Sequence, residues 1–159
     1  MTGRTHKLIA LNAMEHFELK PKEKADFLKG NVRADFIPFY NYRKHYPKQS
    51  MEYVLDMNKK IDSFFELGIF SHFVSDFLCT PHFKHWKLYS SKALKHIKFE
   101  KNLEKAAVFF DYSAVDVHGH KRGCINDAVL KLYANAGEGY DDNILSAYLA
   151  VRFMLSHFV

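Results

Sequence analysis

The sequence predicts an all-α protein, and three observations carry that prediction. Apolar residues recur at the three- and four-residue spacing of a helix nearly from end to end. No alternation of apolar and polar residues persists for more than four positions, so nothing reads as a strand. Hydrophobic residues make up 48% of 159 positions and aromatic ones 16%, enough for one packed core and too much for a disordered tail. The chain therefore reads as a single domain over residues 1–159, a compact bundle of about six or seven helices without internal repeats.

Each element has its own signal. Leu8, Ile9, Leu11, Met14 and Phe17 form the first helical stripe. Pro21 opens a short second helix to about residue 28, where Gly30 is expected to stop it. Lys20, Lys22 and Lys24 read as its solvated start. Residues 33–49 hold Pro38 and Pro47 with aromatics and histidines between them, and read as an irregular loop. Ser50 then caps a long helix, with Tyr53, Leu55 or Val54, Met57, Ile61, Phe64 and Phe65 on its inner side. Gly68 is expected to interrupt that helix. Residues 69–78 are apolar on nearly every side, the mark of a buried central helix, and Pro81 stops it. The next amphipathic helix spans 93–110, with Leu94, Ile97, Leu103 and Val108 inward. His118-Gly119-His120 reads as a loop, and helices over 125–134 and 144–158 complete the set.

Composition excludes several classes of protein. No run of apolar residues is long enough to span a bilayer. The start, Met1 to Lys7, lacks the apolar core and cleavage site of a signal peptide. The expectation is a cytoplasmic protein if that start is native, and a secreted one if a leader has been removed. Cys79 and Cys124 make neither a disulfide framework nor a zinc knuckle. The net charge of +5 points to an anionic partner such as phosphate, a phospholipid headgroup or nucleic acid.

The chemistry gathers in the apolar segment. His72 and Asp76 are four residues apart, and so are His96 and Glu100. On a helix that spacing puts both side chains on one face, close enough to share a ligand. Counted alone, two such pairs are near what ten histidines and 18 acidic residues supply by chance. Their placement adds weight, because a lone carboxylate in the most apolar segment is costly and a divalent cation would offset it. His82, just past Pro81, completes with His96 and Glu100 a set of two imidazoles and a carboxylate, the ligand type of a catalytic zinc with an open position. His72 and Asp76 need further ligands, and the upstream loop offers Asp35 and His45. His6 heads the first helix.

The ordered series His6, Asp35, His45, Gly68-x3-His72-Phe73-x2-Asp76-x4-Pro81-His82 and His96-x3-Glu100 resembles the bacterial zinc-dependent phospholipase C family, which is related to the fungal-type zinc nucleases. The resemblance by motif covers His6 to Glu100, and the rest matches as generic helices. It implies an all-α fold with the metal site between helices. One zinc would be held by Asp35, His45, His72 and Asp76, and a second by His82, His96 and Glu100. A third would use His6 and Asp76, with Asp76 bridging two ions. In the family that third ion also takes the backbone groups of an N-terminal tryptophan. The only tryptophan here is Trp86, and Met1, or Thr2 in its absence, offers the same backbone atoms. The ion count, two or three, stays open.

The activity implied is phosphodiester hydrolysis by a metal-activated water, with Asp35 as a ligand and as the base or orienter of that water. The substrate would be a phospholipid headgroup or a soluble analogue, with a peripheral membrane contact. Phe36, Phe39, Tyr40 and Tyr42 are candidates to wall a headgroup pocket, where a ring face suits a choline cation; core packing is their other use. A nuclease acting on nucleic acid is the second reading, disfavoured because related nucleases end the last ligand pair in aspartate where this chain has Glu100. A non-catalytic, metal-stabilised helical protein is the third.

Overall fold

The computed structural model describes residues 1–36, 45–88, 90–115 and 124–159. Among these residues are eight α-helices and no strand. They are α1 (Gly3–Met14), α2 (Pro21–Arg33), α3 (Pro47–Met57), α4 (Phe64–Phe77), α5 (Thr80–Phe83, a single turn), α6 (Ala93–Phe109), α7 (Ile125–Ala134) and α8 (Tyr140–Phe158). Among the described residues no helix is long and apolar enough to cross a membrane.

Helix α4 is the centre. Every residue over 67–77 is buried, so the helix is wrapped by neighbours on all sides. Its closest partner is α2, and the two backbones nearly touch. A Cβ on Gly30 would lie 1.9 Å from the Phe65 carbonyl oxygen, and one on Gly68 would lie 2.2 Å from that of Phe27. Both glycines are therefore packing contacts inside helices. The expectation that Gly30 stops α2 and Gly68 interrupts the next helix is corrected accordingly: the loss of helix propensity is offset by close approach. Helix α8 packs on α4, α1 packs on α2 and α8, and α6 lies across α1 and α8.

The expected long helix from Ser50 is two helices. Pro47 opens α3, and the Ser50 hydroxyl donates to the Tyr46 carbonyl at 3.0 Å instead of capping. A 3₁₀ turn, Asn58–Lys60, and an extended Ile61 then break the chain. Ser63 caps α4: its Oγ accepts from the Glu66 amide at 3.3 Å and donates to the Glu66 carboxylate at 3.0 Å. Ser63 and Glu66 thus have the S-x-x-E spacing of a capping box, which Ser50 lacks. Pro81 ends nothing; it stands in the first turn of α5. The loop expected over 33–49 is helical at both described ends, with α2 running to Arg33, a 3₁₀ turn at Ala34–Phe36, and α3 from Pro47. Helix α8 begins at Tyr140 rather than at 144. Helix α7 matches its expected span.

Several expected inward residues point out. Leu11 and Tyr53 are exposed, and so are Leu94, Ile97 and Val108 of α6. The buried residues of α6 are His96, Leu103 and Ala107. The helix turns its histidine toward the core and leaves its bulkier aliphatics in water. The predicted loop around His118 and His120 lies outside the described residues.

Candidate metal centre

Helix geometry and capping bring the predicted ligands to one place. Thr2 caps α1 by accepting from the Thr5 amide at 3.2 Å, and donates to Glu104 of α6 at 2.7 Å. These contacts hold Met1 and His6 at the centre. Asp35 comes from the 3₁₀ turn after α2, His45 from the residues before α3, and His72 and Asp76 from one face of α4. His82 sits on the single-turn helix α5, fixed there instead of swinging on a loop, and His96 and Glu100 come from α6. All eight sequence-predicted ligands converge.

Three groups of donor atoms lie within 4.8 Å of one another: Asp35, His45 and His72; His6, His72 and Asp76; and His82, His96 and Glu100. In the first, Asp35 Oδ1 is 3.4 Å from His72 Nε2 and 3.7 Å from His45 Nε2. Asp76 Oδ2 approaches the same pair, 2.6 Å from His45 Nδ1 and 3.4 Å from His72 Nε2. Its other oxygen, Oδ1, faces away toward His6 Nε2 at 3.1 Å and the Met1 amino group at 2.5 Å. In the remaining group Glu100 Oε1 is 3.1 Å from His82 Nε2 and 3.0 Å from His96 Nε2. The Met1 amino group lies 3.0 Å from Glu100 and so stands between the carboxylates.

The histidines are oriented by backbone that the sequence does not reveal. His72 Nδ1 donates to the Asn31 carbonyl at 2.8 Å, and His82 Nδ1 donates to the His45 carbonyl at 2.9 Å. His96 Nδ1 donates to the Trp86 carbonyl. With Nδ1 carrying the proton, each ring presents the Nε2 lone pair inward. There each lone pair meets a carboxylate oxygen, two acceptors face to face, which only a proton or a cation between them reconciles. This donor set fits a divalent metal such as zinc. Among the described residues, the buried His6 Nδ1 has no hydrogen-bond partner.

The electrostatics say the same. Burial alone would raise the Asp76 pKa, but His82, the Met1 amino group, His6 and His72 around it hold it well below the usual carboxylate range. Glu100 is lowered too: burial opposes it, but the amino group and hydrogen bonds from His82 and His96 prevail. Burial would lower His72, yet Asp76 and Asp35 push it up to about 9. Burial, with His72 adjoining, takes His6 down to about 3. The Met1 amine is held well above its ordinary value by Asp76 and Glu100 despite burial. Protons on His72 and Met1 thus occupy positions between carboxylates that a metal ion would neutralise.

A cavity of about 340 Å³ opens onto the group, lined by Asp35, His45, Asp76, His82, His96 and Glu100 with Met1 to Gly3 and Leu88. Leu88 carries no sequence signal for this role. Asp35 is the most exposed of the eight, at 37%. Tyr40, Phe39 and Tyr42 lie outside the described residues, and so does the Phe36 side chain, although the Phe36 backbone belongs to the 3₁₀ turn after α2.

The sequence profile of one family, described as zinc dependent phospholipase C, matches residues 5–149 of the chain. No curated protein and no solved structure matches it.

Proposed function

The chain belongs to the zinc dependent phospholipase C family, and we propose that it hydrolyses the phosphodiester of a phospholipid headgroup or a soluble analogue. The observation that carries this reading is the set of three histidines, each locked by a backbone carbonyl with Nε2 aimed at a carboxylate. Such a set has little use without cations. Asp35, His45, His72 and Asp76 would hold one zinc, His82, His96 and Glu100 a second, and His6 with Asp76 a third beside the Met1 backbone. Asp76, with Oδ2 toward His45 and His72 and Oδ1 toward His6 and the Met1 amino group, would be shared between two of these sites.

Bound zinc would supply positive charge for the non-bridging phosphate oxygens and lower the pKa of a coordinated water. The chain's own residues do the rest. Asp35, at the cavity wall and held ionised by His72 although burial opposes it, accepts the proton of the attacking water and orients its lone pair. His82, His96 and Glu100 line the same cavity, where the phosphate group would sit. At about 340 Å³ the cavity is at the small end of ligand pockets, suited to a headgroup phosphodiester with its acyl chains outside.

The test is turnover and metal content on one preparation, offered a phosphorylcholine ester, a simple aryl phosphodiester and single-stranded RNA. Turnover of the choline ester with two or three metal equivalents is the expected result. Preference for RNA would assign a nuclease. Full metal content without turnover of any substrate would assign a metal-stabilised, non-catalytic protein.

A further inference from the structure

Helix α6 has two faces, and the metal centre uses one. His96, Leu103 and Ala107 are buried, with Glu100 turned the same way. On the opposite face stand Leu94, Lys98, Lys101, Lys105 and Phe109, all exposed. Their steps of four, three, four and four residues make one stripe along the helix. Leu94 is 82% exposed and Phe109 is 88% exposed, one at each end of the stripe. Ile97 and Val108, also exposed, widen its apolar part.

The charge on this face is of one sign. The two acids of α6 are engaged elsewhere: Glu100 in the metal centre, and Glu104 with Thr2 at 2.7 Å and Arg4 at 3.3 Å. Lys98, Lys101 and Lys105 make no ion pair among the described residues. Upstream of α6 in the chain, the exposed Lys87 and Lys92 lie on either side of Leu88, which is exposed and also lines the cavity of the metal centre.

We propose that the outer face of α6 docks on an anionic lipid bilayer. Lysines set between exposed Leu and Phe side chains are the chemistry of a helix lying in the headgroup layer, with amines at the phosphates and apolar chains in the acyl boundary. Fifteen residues separate Leu94 from Phe109, a stripe about 22 Å long at 1.5 Å per residue. A nucleic acid would pair the lysines and leave Leu94, Ile97, Val108 and Phe109 without partners, which favours the bilayer. Docking through this face brings the cavity to within about one helix diameter, roughly 10 Å, of the headgroups. The surface deepens the phospholipase C reading, and its test does not depend on turnover.

The experiment is flotation of the zinc-loaded protein with vesicles of phosphatidylcholine, with and without phosphatidylserine, beside titration with double-stranded DNA. Binding to the serine-containing vesicles that weakens with salt is expected. The triple substitution Lys98→Glu, Lys101→Glu and Lys105→Glu should weaken it by about 100-fold or more, taking roughly fivefold per lysine. Leu94→Ser with Phe109→Ser, which keeps the charge, should weaken binding to the same vesicles at high salt. Helicity checks both variants, and the second tests the face if the first misfolds. Equal binding by wild type and both folded variants, or binding to DNA alone, overturns the proposal. Turnover of a soluble aryl phosphodiester by the same samples keeps the readings apart: turnover without vesicle binding removes the docking face, and vesicle binding without turnover removes the hydrolase.

Discussion

Helices α4 and α6 carry the same local device, a histidine followed four residues later by a carboxylate, in opposite surroundings. In α4 the pair His72 and Asp76 is sealed within the core, and the residues around it over 67–77 are all buried. In α6 only three residues are buried, and Glu100 keeps 17% exposure. A carboxylate without water must find its partners in place, and Asp76 is held ionised against burial by His82, the Met1 amino group, His6 and His72 around it. A carboxylate at the rim can exchange partners with solvent. The comparison teaches a division of work under the proposed function: the α4 pair would tie the fold to a metal, and the α6 pair would serve the open side of the centre.

Asp76→Asn breaks the comparison with the largest effect. It leaves His6, His45 and His72 facing one another without the charge between them. Phosphodiester turnover should fall to background, metal bound through α4 should be lost, and the loaded protein should lose roughly 3–5 kcal/mol of stability. Metal analysis and calorimetry read both, and unchanged metal and activity would remove Asp76 as the bridge.

Glu100→Gln makes the matching change on α6. Turnover should drop by about 100-fold or more, since loss of a direct ligand exceeds the 10–100-fold of an outer-shell partner. Its stability loss should stay well below that of the Asp76 variant. Equal destabilisation by both would end the distinction between the pairs.

A pH series sharpens the same point. His72 is raised from 6.5 to about 9 in the metal-free fold. The stability its proton contributes is fully present below pH 6.5 and is lost as pH rises through 9. Zinc must displace that proton to reach Nε2. The gap in melting temperature between zinc-loaded and metal-free protein should therefore widen between pH 6.5 and 9, with protons released on loading. Differential scanning fluorimetry and titration calorimetry in two buffers measure these. The Glu100 variant should keep the widening and the Asp76 variant should lose most of it.

The smallest effect belongs to the strap between α1 and α6. Thr2→Ala removes the cap on the Thr5 amide and the bond to Glu104, and should cost about 1 kcal/mol in chemical denaturation. No change would mean that α1 is held by packing alone.

Much of the centre was legible because helix spacing is a local property. His72 with Asp76, and His96 with Glu100, needed only a four-residue period; His82, Asp35 and His45 stood nearby in the chain as further donors, and the family pattern assigned them and His6 to metal sites. The packing of α2 on α4 was not legible. A glycine required for contact at 1.9 Å reads the same as a glycine that ends a helix. The inner face of α6 was misread for a related reason: Leu94, Ile97 and Val108 form as good a stripe as His96, Leu103 and Ala107, and only the neighbours decide which one is covered.

The sequence by itself determined an all-α chain and the identity of the residues that converge, because periodicity and ligand type are written residue by residue. Only the tertiary structure decided how they work together. It split the two oxygens of Asp76 between two groups, and it locked His72, His82 and His96 with carbonyls from Asn31, His45 and Trp86. It also turned the lysine face of α6 outward. These are distances between segments 10 to 41 residues apart or more, and no local pattern encodes a distance that packing alone sets.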